Sequence, residues 1–353
     1  MGVRWQRIRI PLAALAAAAA LPGAAGAESP WPFDPPPLKL LRQSPRKIFA
    51  HYFTPFPISL DNKEPEKDYY TLNYLSPDGE KGKFRACGGF LRQRPLPRAP
   101  LPGKDWAQLD MDEEVRRAVA IGLDGFAVDL LSTSGALRER TQLLLDAAQR
   151  VDPAFPILLM PDMEAEFKAH PERMADACRE LGAHPAALRM PDGRLVVSPF
   201  NAQNRDAAWW KGWLDGMKAA GTPVAFLPLF QGWERHAKEF GPISAGMSDW
   251  GWRVPGWNRR WRDVPGRAHA FAPVWMMPVE PQDVRPKDGT YWEAGNSESF
   301  RVMWENAILG GADWVHLITW NDYSESAEIA PSTGTQYAFY DLAAFYAAWF
   351  KMG

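Results

Sequence analysis

A regular alternation constrains this chain more than anything else in it. Eight short apolar runs rich in β-branched or aromatic residues are interleaved with stretches of helical spacing. The predicted strands are 48–53, 125–131, 155–160, 195–198, 223–227, 243–248, 270–275 and 314–319. The predicted helices are 111–121, 136–151, 171–181, 207–220, 233–240, 297–309 and 336–350. The first helix carries acids in its opening turn and stops at Gly122. Asp192-Gly193 predicts a tight turn feeding the fourth strand. Strands that alternate with helices pair in parallel. Eight such units match a (β/α)8 TIM barrel, typically ~250 residues before insertions. A doubly wound open sheet is the alternative. It would place a glycine-rich phosphate loop after the first strand, and none is there. We therefore expect one α/β catalytic domain over 47–353, with a Pro-rich, irregular lead-in at 28–46. The stretch from the first strand to about Asp110 reads as a long loop. No internal repeat or second domain is evident.

Residues 1–27 read as a secretory signal peptide. Arg4, Arg7 and Arg9 precede an apolar, alanine-rich run from Ile10 to Leu21. Small residues then lead to cleavage after Ala27. The run is short of the ~20 residues a membrane span needs, so no membrane association is expected after cleavage. Secreted or periplasmic localisation follows. Removing the leader takes away three arginines and shifts the formal charge from −2 to −5. A mildly acidic chain has no electrostatic reason to bind nucleic acid. Arg259, Arg260 and Arg262 are interleaved with Trp257 and Trp261 and read as a solvated loop. Cys87 and Cys178 are too few for a disulfide scaffold or a zinc site, and their pairing is open. Seventeen tryptophans, many near strand ends and in loops, match the needs of a carbohydrate binder, because apolar sugar faces pack on indole rings.

In a barrel of this kind, reactive side chains gather at the C-terminal ends of the strands. Reading those ends in order brings out His51 and Tyr52, Asp129, Asp162 with Glu164, Asn201, Gln231, Asp249 with Trp250, Trp275, and finally Asp322 with Glu325. This set is rich in acids, amides and aromatics. It lacks the Ser–His–Asp arrangement of an esterase and the histidines of a zinc hydrolase. Asp162, Glu164 and Glu166 are the nearest to a metal cluster, but no histidine pattern accompanies them, so no metal is expected. Each strand-end acid also has a structural alternative as a helix N-cap. Asp322 with Glu325 matches a capping pair in which Glu sits at the third helical position.

The segment 314–326 concentrates the chemistry. An apolar run breaks into Trp320-Asn-Asp-Tyr-Ser-Glu325. One carboxyl can protonate a glycosidic oxygen while another activates water. Trp320, Tyr323, Trp275 and Trp250 are the expected sugar platforms. Asn321, His51, Asp129 and Asp162 are expected to hydrogen-bond hydroxyls, with Tyr52 and Asp249 also lining the substrate site. On a regular helix, residues three apart have Cβ atoms only ~5–6 Å apart, whereas an inverting pair needs carboxyls ~6.5–9.5 Å apart. Either this segment is a loop that splays the two side chains, or Asp162 or Asp249 takes one of the roles.

Thr319-Trp-Asn-Asp-Tyr-Ser-Glu-Ser326, followed by Ile329 and Pro331, resembles the Trp-Asn-Asp-Tyr-Gly-Glu-Ser signature of glycoside hydrolase family 71, the endo-α-1,3-glucanases or mutanases. Lys47–Tyr52, Ala118–Ala127 and Val274–Val279 are also similar to that family. Ser324 stands where the family usually has Gly, and Ala327-Glu328 where it often has His-Tyr. The resemblance implies a (β/α)8 domain that hydrolyses α-1,3-glucosidic bonds with inversion and without a cofactor. It also implies that Asp322 and Glu325 are the catalytic carboxylates. The partner would be a polysaccharide. The competing readings are an endo-hydrolase of another α-linked polymer, such as an α-mannan, and a non-catalytic carbohydrate-binding barrel. Oligomeric state is not legible.

Overall fold

The computed structural model describes residues 33–353. The predicted signal peptide and its cleavage site lie outside these residues. Eleven strands are present among them. Nine form one parallel sheet in the order β5-β4-β3-β2-β1-β11-β8-β7-β6, and β9 and β10 form a separate antiparallel hairpin. The sheet strands are β1 (Lys47–Tyr52), β2 (Gly125–Leu130), β3 (Ile157–Pro161), β4 (Leu195–Val197), β5 (Val224–Phe226), β6 (Leu229–Phe230), β7 (Met247–Asp249), β8 (Trp275–Val279) and β11 (Trp314–Leu317). The hairpin strands are β9 (Asp283–Arg285) and β10 (Thr290–Trp292).

β5 and β6 are the two ends of the sheet order, yet only Leu227 and Pro228 separate them. They are one barrel strand interrupted at Pro228, which has no N–H to donate. Its two sides close the sheet. Leu227 N–H donates to Val197 O at 3.0 Å on the β4 side, and Ala245 and Ser248 N–H donate to Phe226 O and Pro228 O on the β7 side. The sheet is thus a closed barrel of eight strand positions, as the alternation predicts, and not the open doubly wound sheet.

The strands are nearly continuous apolar runs because both faces are covered. One face fills the barrel with Phe49, Ala127, Leu158, Met160, Val196, Ala225, Leu227, Leu229 and Met276. The other packs on helices, chiefly Trp106–Ala120, Gly135–Val151, Met174–Gly182, Ala207–Ala219, Glu298–Gly310 and Ala338–Met352. Gly122 ends the first of these with φ +80°, the left-handed turn in which Leu123 N–H reaches back to Ala118 O. Asp206 caps the helix from Ala207 by accepting Trp209 N–H at 2.7 Å.

Three sequence expectations change. The 28–46 lead-in contains a helix, Leu38–Gln43, with Leu41 buried. The loop before Asp110 holds two short helices (Tyr69–Asn73 and Gly79–Gly82), a 3-10 turn (Arg85–Cys87), and the start of the helix at Trp106. The seventh barrel strand is Trp275–Val279 and not 270–275, because Pro278 does not break it. Ser248 and Met276 are the last paired residues of β7 and β8. Pro278 faces that side just beyond them, where no ladder bond is lost. Cys87 is exposed, Cys178 is buried, and both are free thiols.

Candidate active site

The side-chain period of two decides what reaches the open end of the barrel. On β1, Phe49 points inward, so His51 does too and Tyr52 points out. On β2, Ala127 and Asp129 point inward. On β8, Met276 sets the phase, and two and four residues on come Pro278 and Glu280. His51, His316 and Trp250 meet above the apolar core, with ring centroids 5.0 to 6.1 Å apart. His51 and Trp250 form the floor of a pocket of about 540 Å³, with His316 buried beneath them. His51, Phe53, Asp129, Asp162, Phe200, Gln231, Arg235, Asp249, Trp250, Trp252, Arg253, Arg285, Trp292 and Glu325 line it.

Asp129 and Asp162 are buried with no arginine or lysine partner, whereas Glu325 meets Arg285. Burial pushes the Asp129 carboxyl well above the usual range, and the charge on Asp322 adds to it. Its nearest partner is His51 Nε2 at 3.7 Å, and its Oδ1 has no hydrogen bond. Burial and Asp129 raise Asp162 to about 7. His51 is driven down to about 3 by burial and by Arg253, so the imidazole is neutral. Asp249, raised to about 6 by burial, accepts backbone N–H bonds from Gly232, Trp233 and Gly251 at 2.7–2.9 Å. It lines the pocket and also pins two loops.

The segment 322–326 is a turn and not a helix, which frees the two side chains from helical spacing. Asp322 Oδ1 accepts N–H from Ser324 (2.9 Å) and Glu325 (3.1 Å) and the Ser324 hydroxyl (2.6 Å). These are the backbone contacts of a cap, made without a helix. Glu325 turns away from them into the pocket, where its Oε1 lies 3.2 Å from Arg285 Nη1. Both carboxyls are raised, first by burial. Asp322 is then drawn down by its hydrogen bonds, whereas Glu325 is raised further by Asp322 and Asp283 against Arg253 and Arg285.

Five predicted substrate contacts lie elsewhere. Trp320 is fully buried and donates Nε1–H to Glu114 Oε2 at 2.7 Å. Tyr323 packs with Tyr70 and Tyr74 in a separate buried cluster. Trp275 begins β8 at the opposite end of the barrel and packs on Trp233 at 5.0 Å. Tyr52 points outward, with its hydroxyl 3.2 Å from Met111 Sδ. Asn321 is also a strut. Its amide bonds Phe53 N–H, Phe53 O and Phe56 O, which ties the turn to the loop after β1. His51, Asp129, Asp162, Asp249, Trp250 and Glu325 do come together, with Asp322 against Glu325. Glu164 and Glu166 turn aside, to Lys168 with Asn204 and to Thr133 with Arg173.

Sequence reasoning missed Glu280, Asp283, Arg253 and Arg285. Glu280 is fully buried against the Arg253 guanidinium and raised to about 8 by burial. Asp283 holds Arg285 through two 2.8 Å bonds. An apolar run ending in an acid was the available signal for Glu280, and the misplaced seventh strand hid it. The arginines carried no signal, since they come from loops of arbitrary length.

A closed parallel barrel whose strand ends gather carboxylates around one open pocket is a (β/α)8 protein of the glycosidase type. Residues 103–351 match the family described as Glycosyl hydrolase family 71, and the chain belongs to that family. It is 25% identical over 234 residues to a glucan endo-1,3-alpha-glucosidase of Schizosaccharomyces pombe, covering 63% of this chain and 54% of that one. It is 25% identical over 242 residues to a mutanase of Penicillium rubens, covering 65% and 51%. The chain thus spans about half the length of these relatives. Among solved structures, a GH99 endo-alpha-mannosidase of Bacteroides thetaiotaomicron shares the fold. Its TM-score is 0.64 at 14% identity, covering 87% of this chain and 97% of that one.

Proposed function

We propose that this protein is an exported endo-acting hydrolase of α-1,3-glucan or a related α-linked exopolysaccharide. The observation that carries the reading is the turn at the end of β11, where Glu325 faces a pocket lined by acids and tryptophans and Asp322, buried behind it, accepts its backbone N–H. The relatives' names supply the polymer. The arginine-led, alanine-rich start supports export. Among the described residues, no helix is long and apolar enough to cross a membrane.

Glu325 is the general acid. It faces the pocket and, with burial and Asp322 opposing its ionisation, it holds a proton to higher pH than an ordinary carboxyl. Asp322 is the base, because three donors favour its ionised form. Water attacks the anomeric carbon and gives its proton to Asp322. The glycosidic C–O bond breaks, and the leaving oxygen takes the proton of Glu325. The configuration inverts in a single displacement. Trp250 offers a ring to the sugar, while Asp129 and Asp162 hydrogen-bond its hydroxyls.

Reducing-end release from a panel of polysaccharides, α-1,3-glucan included, tests the reading. Asp322→Asn and Glu325→Gln are expected to lower turnover by about 10²–10⁴-fold each with unchanged melting behaviour. Near-parental rates in both variants would falsify the assignment. Release from α-mannan but not from α-1,3-glucan would change the polymer and keep the machinery.

A further inference from the structure

The pocket does not end at its carboxylates. Trp252 and Trp292 stand on its wall, 5.7 Å apart between ring centroids, and come from different elements: the segment after β7 and the β9–β10 hairpin. Trp257 continues the row outward. Its ring is inclined only 25° to that of Trp252, at 6.5 Å. Trp252 is 47% exposed and Trp257 59%. Two exposed indoles leading away from a half-buried third on the pocket wall have no packing reason to face water, since a tryptophan stabilises a fold by being buried.

The backbone beneath the row is held. Asn258, next to Trp257, is buried, and its carbonyl accepts the Asn306 side-chain amide. Asp283 pairs with Trp292 across the hairpin, and Val284 N–H donates to Glu325 O at 2.8 Å, which fastens the hairpin to the turn that carries the acid. Arg260 lies 5.4 Å from the Trp257 ring centroid. The Arg259–Arg262 stretch, legible in the sequence only as a charged loop, thus supports an aromatic surface.

We propose that Trp292, Trp252 and Trp257 form a shelf of sugar subsites that grips the part of an α-linked glucan chain extending past the cleavage point. Resting on the hydrolase reading above, this makes the enzyme select long chains over short ones. The ring spacings are of the order of one hexose unit, and the row is continuous with the pocket. Trp252 and Trp257 leave about half of their surface open to pyranose C–H groups, and Arg253 and Arg285 line the adjoining pocket to meet hydroxyls. A chain bound along the row stays threaded while the pocket cuts it.

The test uses the Asp322→Asn/Glu325→Gln protein, titrated with α-1,3-linked gluco-oligosaccharides of increasing length and followed by calorimetry and tryptophan fluorescence. Affinity is expected to climb with length until the chain reaches Trp257. Trp257→Ala is expected to remove that last increment and weaken the longest chain about tenfold, equivalent to about 1.4 kcal/mol. Trp257→Tyr, which keeps a flat ring, should restore part of it. Binding whose length dependence is the same in Trp257→Ala would overturn the shelf and leave the hydrolase reading intact. Failure of the parental protein to bind any chain of the series would overturn the substrate reading and the shelf with it.

Discussion

Two aspartates on one strand show how differently the two ends of this barrel use the same side chain. Asp124 stands at the foot of β2, and Asp129 near its head. Asp124 meets Lys351 Nζ at 2.7 Å and Lys47 Nζ at 3.6 Å, and accepts Ile48 N–H at 2.8 Å. Lys351 also donates to Gly122 O, so this buried charge is fully engaged in holding the last helix to the sheet. Asp129 has only a neutral histidine at 3.7 Å and an oxygen with no partner. The foot satisfies its charges within the fold. At the head Asp129 is left short of partners, and a buried carboxyl in that position holds its proton and has bonding capacity left for a ligand.

Substitutions at the two ends can break this comparison. The largest expected effect is at the foot. Asp124→Asn leaves a buried ammonium without its counter-charge and is expected to cost about 3–5 kcal/mol of stability, with kcat unchanged; chemical unfolding beside steady-state assays reads both. A drop in kcat at full stability would erase the distinction between the ends. Asp129→Asn comes next and should do the reverse. With the carboxyl protonated, the change perturbs a neutral hydrogen bond to a sugar hydroxyl, worth about 0.5–1.5 kcal/mol, or roughly two- to tenfold in kcat/KM.

Stability should not fall with Asp129→Asn at neutral pH. The folded carboxyl titrates well above its unfolded value, so its favourable share is complete below an unfolded value of ~3.8 and is lost as pH rises through the folded one. Asparagine has no such loss, and thermal melts at pH 4 and pH 8 should show the variant gaining on the parent as pH increases. The smallest effect is at the rim. Arg285 favours the ionised form of Glu325, so Arg285→Ala should move the alkaline limb of kcat/KM to higher pH, with a loss below about tenfold at the optimum. An unmoved limb would mean that Arg285 only holds the hairpin.

The chain's own order determined the alternation of strands and helices, the caps at Asp206 and Gly122, and the gathering of acids at strand ends, because these depend on residues near one another in sequence. Asp129, Asp162 and Asp249 follow from the rule that strand ends meet at one face. The phase of each strand was another matter. A strand of period two exposes one of two faces, and only packing decides which. Tyr52 therefore went outward while His51 went in, and Trp275 fell at the wrong end once Pro278 proved compatible with β8. Trp320, Tyr323 and Asn321 belong to the most recognisable motif in the chain, yet they brace it, since their side chains are buried and bonded to Glu114, the Tyr70 cluster and the loop after β1. Glu280, Arg253, Arg285 and the tryptophan row come from loops and a hairpin that meet only after the barrel has closed. No local pattern encodes such meetings, because loop length and direction set them and the closed sheet fixes where each loop begins.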